Sequence, residues 1–150
     1  MITTDSSVFI LHLVSTSIMV GVIWIIQLVH YPTFLFIDKQ KYMKFQEFHM
    51  SRVSYIVMPT MIAELFSGIY ILFYNNVLMV NTFFLLASFS LFLNWVITAL
   101  VFVKIHNGLL IKYEKNIILL LVKFNWIRTI LWSLRLVFLT IIIFLFDIIQ

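Results

Sequence analysis

His12, Glu64, Arg128 and Arg135 are ionisable, yet each lies in a run of apolar residues long enough to cross a bilayer. Charge is costly in hydrocarbon, so such groups face a bundle interior and mark a pathway or a binding site. Glu64, Arg128 and Arg135 are the candidate catalytic groups: an acid able to couple to protons, and two cations able to hold an anion. A carboxylate or phosphate suits Arg128, because a guanidinium fork binds such groups bidentately. Two arginines for one buried acid leave one positive charge with no obvious partner, which favours an anionic ligand. His12 reads in two ways, as a hydrogen-bonded interior residue or as an axial ligand for haem iron through its neutral imidazole. His12 and His30 cannot share one iron, because the helix between them separates them by about 27 Å.

The elements that must position these groups follow from composition. The chain has 150 residues, of which 63% are hydrophobic and 11% charged. Soluble domains carry about 25% charged residues, so this composition predicts an integral membrane protein. With no cysteine, disulfides, thiolate metal sites and cysteine nucleophiles are excluded. The net charge of +4 does not point to nucleic acid, because the basic residues form two clusters flanking apolar runs. The first apolar run reads as a span and not a signal peptide, lacking a basic lead and a small-residue cleavage site.

Hydropathy predicts an all-α, single-domain, four-helix transmembrane bundle over 1–150, with spans at about 8–31, 53–74, 77–103 and 124–146. Tyr31-Pro32 is expected to end the first span, since proline disfavours helix in the residue before it. Tyr42, Phe45, Phe48 and Arg52 recur at helical spacing, which predicts a short amphipathic interfacial helix between spans one and two. Pro59 falls inside span two, and Asn75-Asn76 forms the turn to span three. Lys39, Lys41, Lys44 and Arg52 follow span one, and Lys104, Lys112, Lys115 and Lys123 follow span three. Both clusters then lie on one face, which the positive-inside rule makes cytoplasmic. The expectation is a multi-pass protein of the cell inner membrane, surrounded by lipid, with both termini outside.

Depth along the spans suggests how the polar groups meet. Glu64 and Arg135 each lie near mid-span, which predicts an ion pair across the bundle. Asn125, Arg128, Trp132 and Arg135 form one stripe, and His12, Thr16, Met19, Ile23 and His30 form another, with Gln27 beside it. Gln27, His30, Asn94, Thr98, Asn125 and Arg128 cluster toward the basic face. They predict a cavity opening there with Glu64 and Arg135 at its floor, and they mark Gln27, His30, Asn94 and Asn125 as candidate substrate-binding residues. The competing reading is that such groups only join helices, for about 1 kcal/mol or less each. Tyr31 and Trp126 read as an interfacial aromatic belt, and His49 as an interfacial residue.

The order of features resembles the HemJ-type protoporphyrinogen IX oxidases, small four-helix membrane proteins that bind haem b. Span one carries His12, then Gly21 and Trp24, then Tyr31-Pro32 and Phe34. Span two begins at Arg52 and holds Pro59-Thr60-Met61-Ile62-Ala63 followed by Gly68, similar to the family's Pro-x-Met-Ile-Ala…Gly signature. His106 follows span three and Asn125 heads span four. The family's lysine inside span three is absent, that region reading Asn94-Trp95. The resemblance implies His12 as the metal ligand of haem b, with His106, Trp24 and Met61 around the cofactor. It implies a tetrapyrrole substrate whose propionates Arg128 or Arg52 would hold, its ring among Trp24, Trp95 and Trp132, and a quinone as a possible electron acceptor.

Three functions therefore stand open on sequence grounds. One is the haem-dependent oxidoreductase. Another is a carrier or binding protein for a small amphipathic anion, acting as a homo-oligomer. The third is a structural subunit of a membrane complex.

Overall fold

The computed structural model describes residues 4–146, and among them four long helices account for nearly the whole chain. Helix α1 runs Thr4–Ile25, widens into a π-helical turn at Ile26–His30, and continues through Tyr31–Thr33 and a 3₁₀ turn at Phe34–Phe36. Helix α2 spans Lys39–Tyr74. Helix α3 comprises Thr82–Ile97, a second π-helical turn at Thr98–Phe102, and Val103–Ile111. Helix α4 spans Lys115–Phe146. Each rod contains 30 to 36 residues of membrane-compatible hydropathy, against the roughly 20 that cross a bilayer. The protein is a multi-pass helical bundle whose ends extend past the hydrocarbon.

Several boundaries differ from those the sequence predicts. Tyr31-Pro32 does not end α1. Proline lacks an N–H, and its ring clashes with the carbonyl four residues back in a regular helix. Here the Tyr31 N–H bonds to the Ile26 carbonyl across the π turn, and the wider turn carries the helix past Pro32. Thr33 Oγ1 donates back to the carbonyls of His30 and Val29. The expected interfacial helix is not a separate element either. Its residues form the first turns of α2, started by the Asp38 side chain accepting from the Gln40 N–H at 3.2 Å. Its buried stripe is Tyr42, Gln46 and His49, while Phe48 is 59% exposed. Arg52 is also exposed and lies over the Phe48 ring. The α2–α3 connection is longer than the Asn75-Asn76 pair. Asn75 Oδ1 accepts from the N–H groups of Val77 and Leu78, a 3₁₀ turn follows at Leu78–Val80, and Asn81 caps α3 by accepting from the Phe84 N–H.

Within the bundle, α1 packs against α2 and α4, and α3 packs against α4. Helix α2 meets α3 at the two ends and leaves a seam along the Thr82–Ile97 stretch. Two apolar clusters fill the interior. One, nearer the α2–α3 connection, holds Phe9, Ile71, Phe84, Ala87, Leu139 and Ile142. The other, nearer the basic end, includes Met19, Tyr31, Met61, Phe102 and Trp132. Between them lies a layer of buried polar groups: His12, Thr16, Glu64, Ser67 and Arg135. The outer surface is apolar, with Phe66, Phe73, Phe89, Phe92 and Phe144 all more than half exposed, as a lipid-facing surface requires.

Gly68 sets how closely α1 and α2 approach. A Cβ there would sit 2.9 Å from His12 Cε1 and 3.7 Å from Leu91 Cδ2. The imidazole is held at both nitrogens and cannot swing aside. Gly68→Ala should therefore destabilise the protein by about 1–3 kcal/mol, the usual range for overpacking. Gly21→Ala, with nothing within 4 Å, should be neutral or slightly stabilising. Unfolding midpoints in detergent compare the two; equal midpoints would contradict this account.

Candidate functional site

The polar layer is built around Arg135. Its Nη2 donates to His12 Nε2 at 2.7 Å, its Nε to Thr16 Oγ1 at 3.1 Å, and its Nη1 to the Ala87 carbonyl at 3.5 Å. Glu64 Oε1 faces Arg135 Nε at 3.6 Å, both side chains being fully buried. Glu64 Oε2 accepts from Trp132 Nε1 at 3.3 Å. The direction of these bonds fixes the imidazole tautomer. Arginine is donor only, so His12 Nε2 must accept. His12 Nδ1 then carries the proton and donates to Ser67 Oγ at 2.7 Å, and the Ser67 hydroxyl in turn donates to the Ala63 carbonyl. The mid-span acid and base thus meet as the sequence predicts, in a sealed network that touches all four helices.

Toward the basic end lies a different arrangement. A cavity of about 170 Å³ opens there, walled by Ile26 and Tyr31 of α1, His49, Met50, Val53 and Val57 of α2, Thr98, Phe102 and His106 of α3, and Arg128 of α4. Met58, Ser54 and Val103 also line it and are exposed, so its mouth lies between α2 and α3 on the outer surface. Glu64 and Arg135 do not line it, so they are not the floor that the sequence suggests.

Arg128 is buried at the back of this cavity. Its Nη1 donates to Asn125 Oδ1 at 3.4 Å. Its guanidinium carbon lies 4.3 Å from the Phe102 ring centre and 5.2 Å from that of Trp132, contacts that favour a cation. Its Nε has no hydrogen-bond partner, nor does Thr98 Oγ1, which lines the same cavity. Among the described residues the ion pairs are Lys112–Glu114 and Glu64–Arg135, so no carboxylate balances Arg128. Around it stand Tyr31, whose hydroxyl meets His106 Nε2 at 2.9 Å, and Gln46, whose amide meets His106 Nδ1 at 2.9 Å. His30 Nε2 meets His49 Nδ1 at 2.5 Å.

The remaining sequence candidates divide between these two places and the exterior. Gln27 Oε1 accepts from Asn125 Nδ2 at 2.9 Å, and Gln27 Nε2 donates to the Val122 carbonyl. These two residues join α1 to α4 and hold the amide that faces Arg128. Asn94 is fully buried with both amide atoms unpartnered. Met61 belongs to the apolar core. Arg52 lies outside the cavity, so it does not join Arg128 there. Trp24 donates to Ser133 Oγ and meets Trp126 edge-on at the α1–α4 surface. The three tryptophans named for a planar ring therefore share no common slot. Sequence reasoning placed Tyr31 and His49 at the interface and missed them as cavity residues. The 42, 46, 49 spacing was the signal available for His49.

His12 is the haem ligand that the resemblance implies. Its Nε2 lone pair accepts from Arg135 and its Nδ1 proton goes to Ser67. The Gly68 backbone closes over the ring edge. The residues as arranged do not fit an iron at this imidazole. Among the described residues no group of three histidine or carboxylate side chains is arranged to hold a metal ion. No protein-family model, curated protein or solved structure matches the chain.

Removing one partner of a buried pair strands the other, at a cost of about 3–5 kcal/mol. Arg135→Leu should therefore be severely destabilising, and Glu64→Gln less so, because the amide can still accept from Trp132. The double variant should be more stable than the sum of the singles predicts, since the stranded carboxylate is gone. Unfolding titrations in mixed micelles measure this coupling; strict additivity would show that the two groups do not interact.

Proposed function

We propose that this protein is a membrane-embedded binding protein for an amphipathic anion, reached from the bilayer and held at Arg128. The observation that carries this reading is a buried guanidinium with a free N–H, no acidic partner among the described residues, and a position in the wall of a cavity. A buried cation without a counter-ion is costly. A carboxylate or phosphate would neutralise it and take the free Nε–H, with Thr98 and Tyr31 offering further hydrogen bonds. The aliphatic and aromatic walls suit the apolar part of such a ligand.

By the positive-inside rule the cavity sits in the cytoplasmic half of the membrane. The neighbouring lysines of the basic end would raise the local concentration of anions there. His49 and His106 line the same cavity, and His30 bonds to His49. A tetrapyrrole carboxylate belongs to the same chemical class of ligand, held by Arg128 through a propionate.

Trp132 reports on the site, because Arg128 stacks on its ring. Decanoate titrated into the detergent-solubilised protein should give a saturable change in tryptophan fluorescence. Arg128→Gln should weaken that binding about 10- to 100-fold, the worth of a charge-assisted hydrogen bond. Arg52→Gln, at an exposed arginine, should leave it unchanged. Equal affinity in wild type and Arg128→Gln would remove this function.

A further inference from the structure

A second cavity lies on the same seam. It has a volume of about 170 Å³ and is lined by Leu65, Gly68, Ile69 and Leu72 of α2 and by Ser88, Leu91, Phe92 and Trp95 of α3. Along α3 it ends at Trp95, three residues before Thr98, where the Arg128 cavity begins. Along α2 it begins at Leu65, seven residues beyond Met58, where the Arg128 cavity ends. The two hollows thus follow one another along the α2–α3 seam, where these helices separate. The hollow nearer the basic end is polar at its back, and the other is almost wholly apolar. Between them α3 carries Trp95 Nε1 and Thr98 Oγ1, both without hydrogen-bond partners.

From this alignment along one seam we infer that the ligand is a single-chain lipid with an anionic head. The head sits on Arg128, and the acyl chain lies along the α2–α3 seam into the apolar groove. This rests on the Arg128 reading and adds the shape of the ligand to it. The distance from Thr98 to Ser88 is about 15 Å of helix, the reach of a medium-length chain. The head lies at the basic end, as in a lipid of that leaflet, and the tail runs past the bilayer centre, because the groove begins beside mid-span Glu64 and extends to Leu72. The exposed mouth at Ser54, Met58 and Val103 lets such a lipid enter sideways without leaving the membrane.

Chain length separates this inference from the reading beneath it. Hexadecanoate and hexanoate are titrated into delipidated protein in detergent, followed by tryptophan fluorescence. Wild type should bind hexadecanoate far more tightly than hexanoate. Ser88→Phe fills the groove and should weaken hexadecanoate binding by about tenfold or more, the worth of about two buried methylenes. Hexanoate binding should be unchanged, which also shows that the variant is folded. Ile69→Trp repeats the test from the α2 side. Arg128→Gln should weaken both probes. If Arg128→Gln weakens both while the groove variants leave hexadecanoate binding intact, the chain lies elsewhere and the inference falls, though the anion site stands. If Arg128→Gln changes neither, the anion site falls with it. A change in oligomeric state by the groove variants, with hexadecanoate affinity unaltered, would assign the groove to a second helix and overturn the inference.

Discussion

One guanidinium holds this bundle in register. Arg135 projects from α4 and touches each of the other three helices: His12 and Thr16 on α1, Glu64 on α2 and the Ala87 carbonyl on α3. Within hydrocarbon, no water can complete an unsatisfied polar group, so every partner must come from the protein. Lipid tails are as apolar as leucine and give little drive for helices to associate. Directional polar contacts then set which helix faces which and at what height. The layer at Arg135 does this at the waist of the molecule, between two apolar clusters that have no directional preference of their own.

Arg128 shows what the same residue does without those partners. It lies seven residues before Arg135 on nearly the same face of α4, two turns closer to the basic end. At the level of Arg135, α2 supplies a carboxylate. At the level of Arg128, α2 supplies Val53 and Val57, and the seam to α3 is open. Aromatic faces, the Asn125 amide oxygen and the Tyr31 hydroxyl accept part of the charge, and the Nε–H is left over. Two arginines of one stripe therefore take opposite roles. The one whose charge is balanced ties the helices together, and the one whose charge is not lines the cavity.

Part of this was legible in the sequence. Four spans, the flanking basic clusters and the pairing of Glu64 with Arg135 follow from hydropathy and from residue depth, which the uniform rise of a helix preserves. Helix ends were less legible, because a membrane protein's helices continue past the hydrocarbon wherever their polar turns can be solvated, as at Lys39–Arg52 and Lys115–Lys123. The amphipathic stretch of α2 was read by Tyr42, Phe45, Phe48 and Arg52, of which Tyr42 is buried and Phe48 and Arg52 are exposed. The buried stripe there is Tyr42, Gln46 and His49, and it includes two polar residues that an apolar periodicity does not mark. The cavity was expected at the right end of the bundle but with the wrong floor, since pattern alone does not show where α2 and α3 part.

The hardest feature to foresee is the pair of π-helical turns, and it decides which side chains reach the site. A regular helix repeats every 3.6 residues, so one inserted residue rotates everything beyond it by about 100°. Counting regularly from His12 along α1 brings His30 to the interior. The turn at Ile26–His30 advances the count by one, so Tyr31 is buried at 3% exposure while His30 moves toward the edge. In α3 a regular count from Asn94 leads to Val101 and Gly108. The turn at Thr98–Phe102 instead buries Phe102 and Leu109 and brings His106 to the cavity wall. Such turns are uncommon and recur at functional sites. Here both lie beside the same cavity, and each delivers an aromatic residue to its lining beside Arg128, Tyr31 from α1 and Phe102 from α3. Pro32 accounts for the first turn. The second has no proline, so its wider backbone follows from the packing it serves, which is the wall against which the unpaired guanidinium lies.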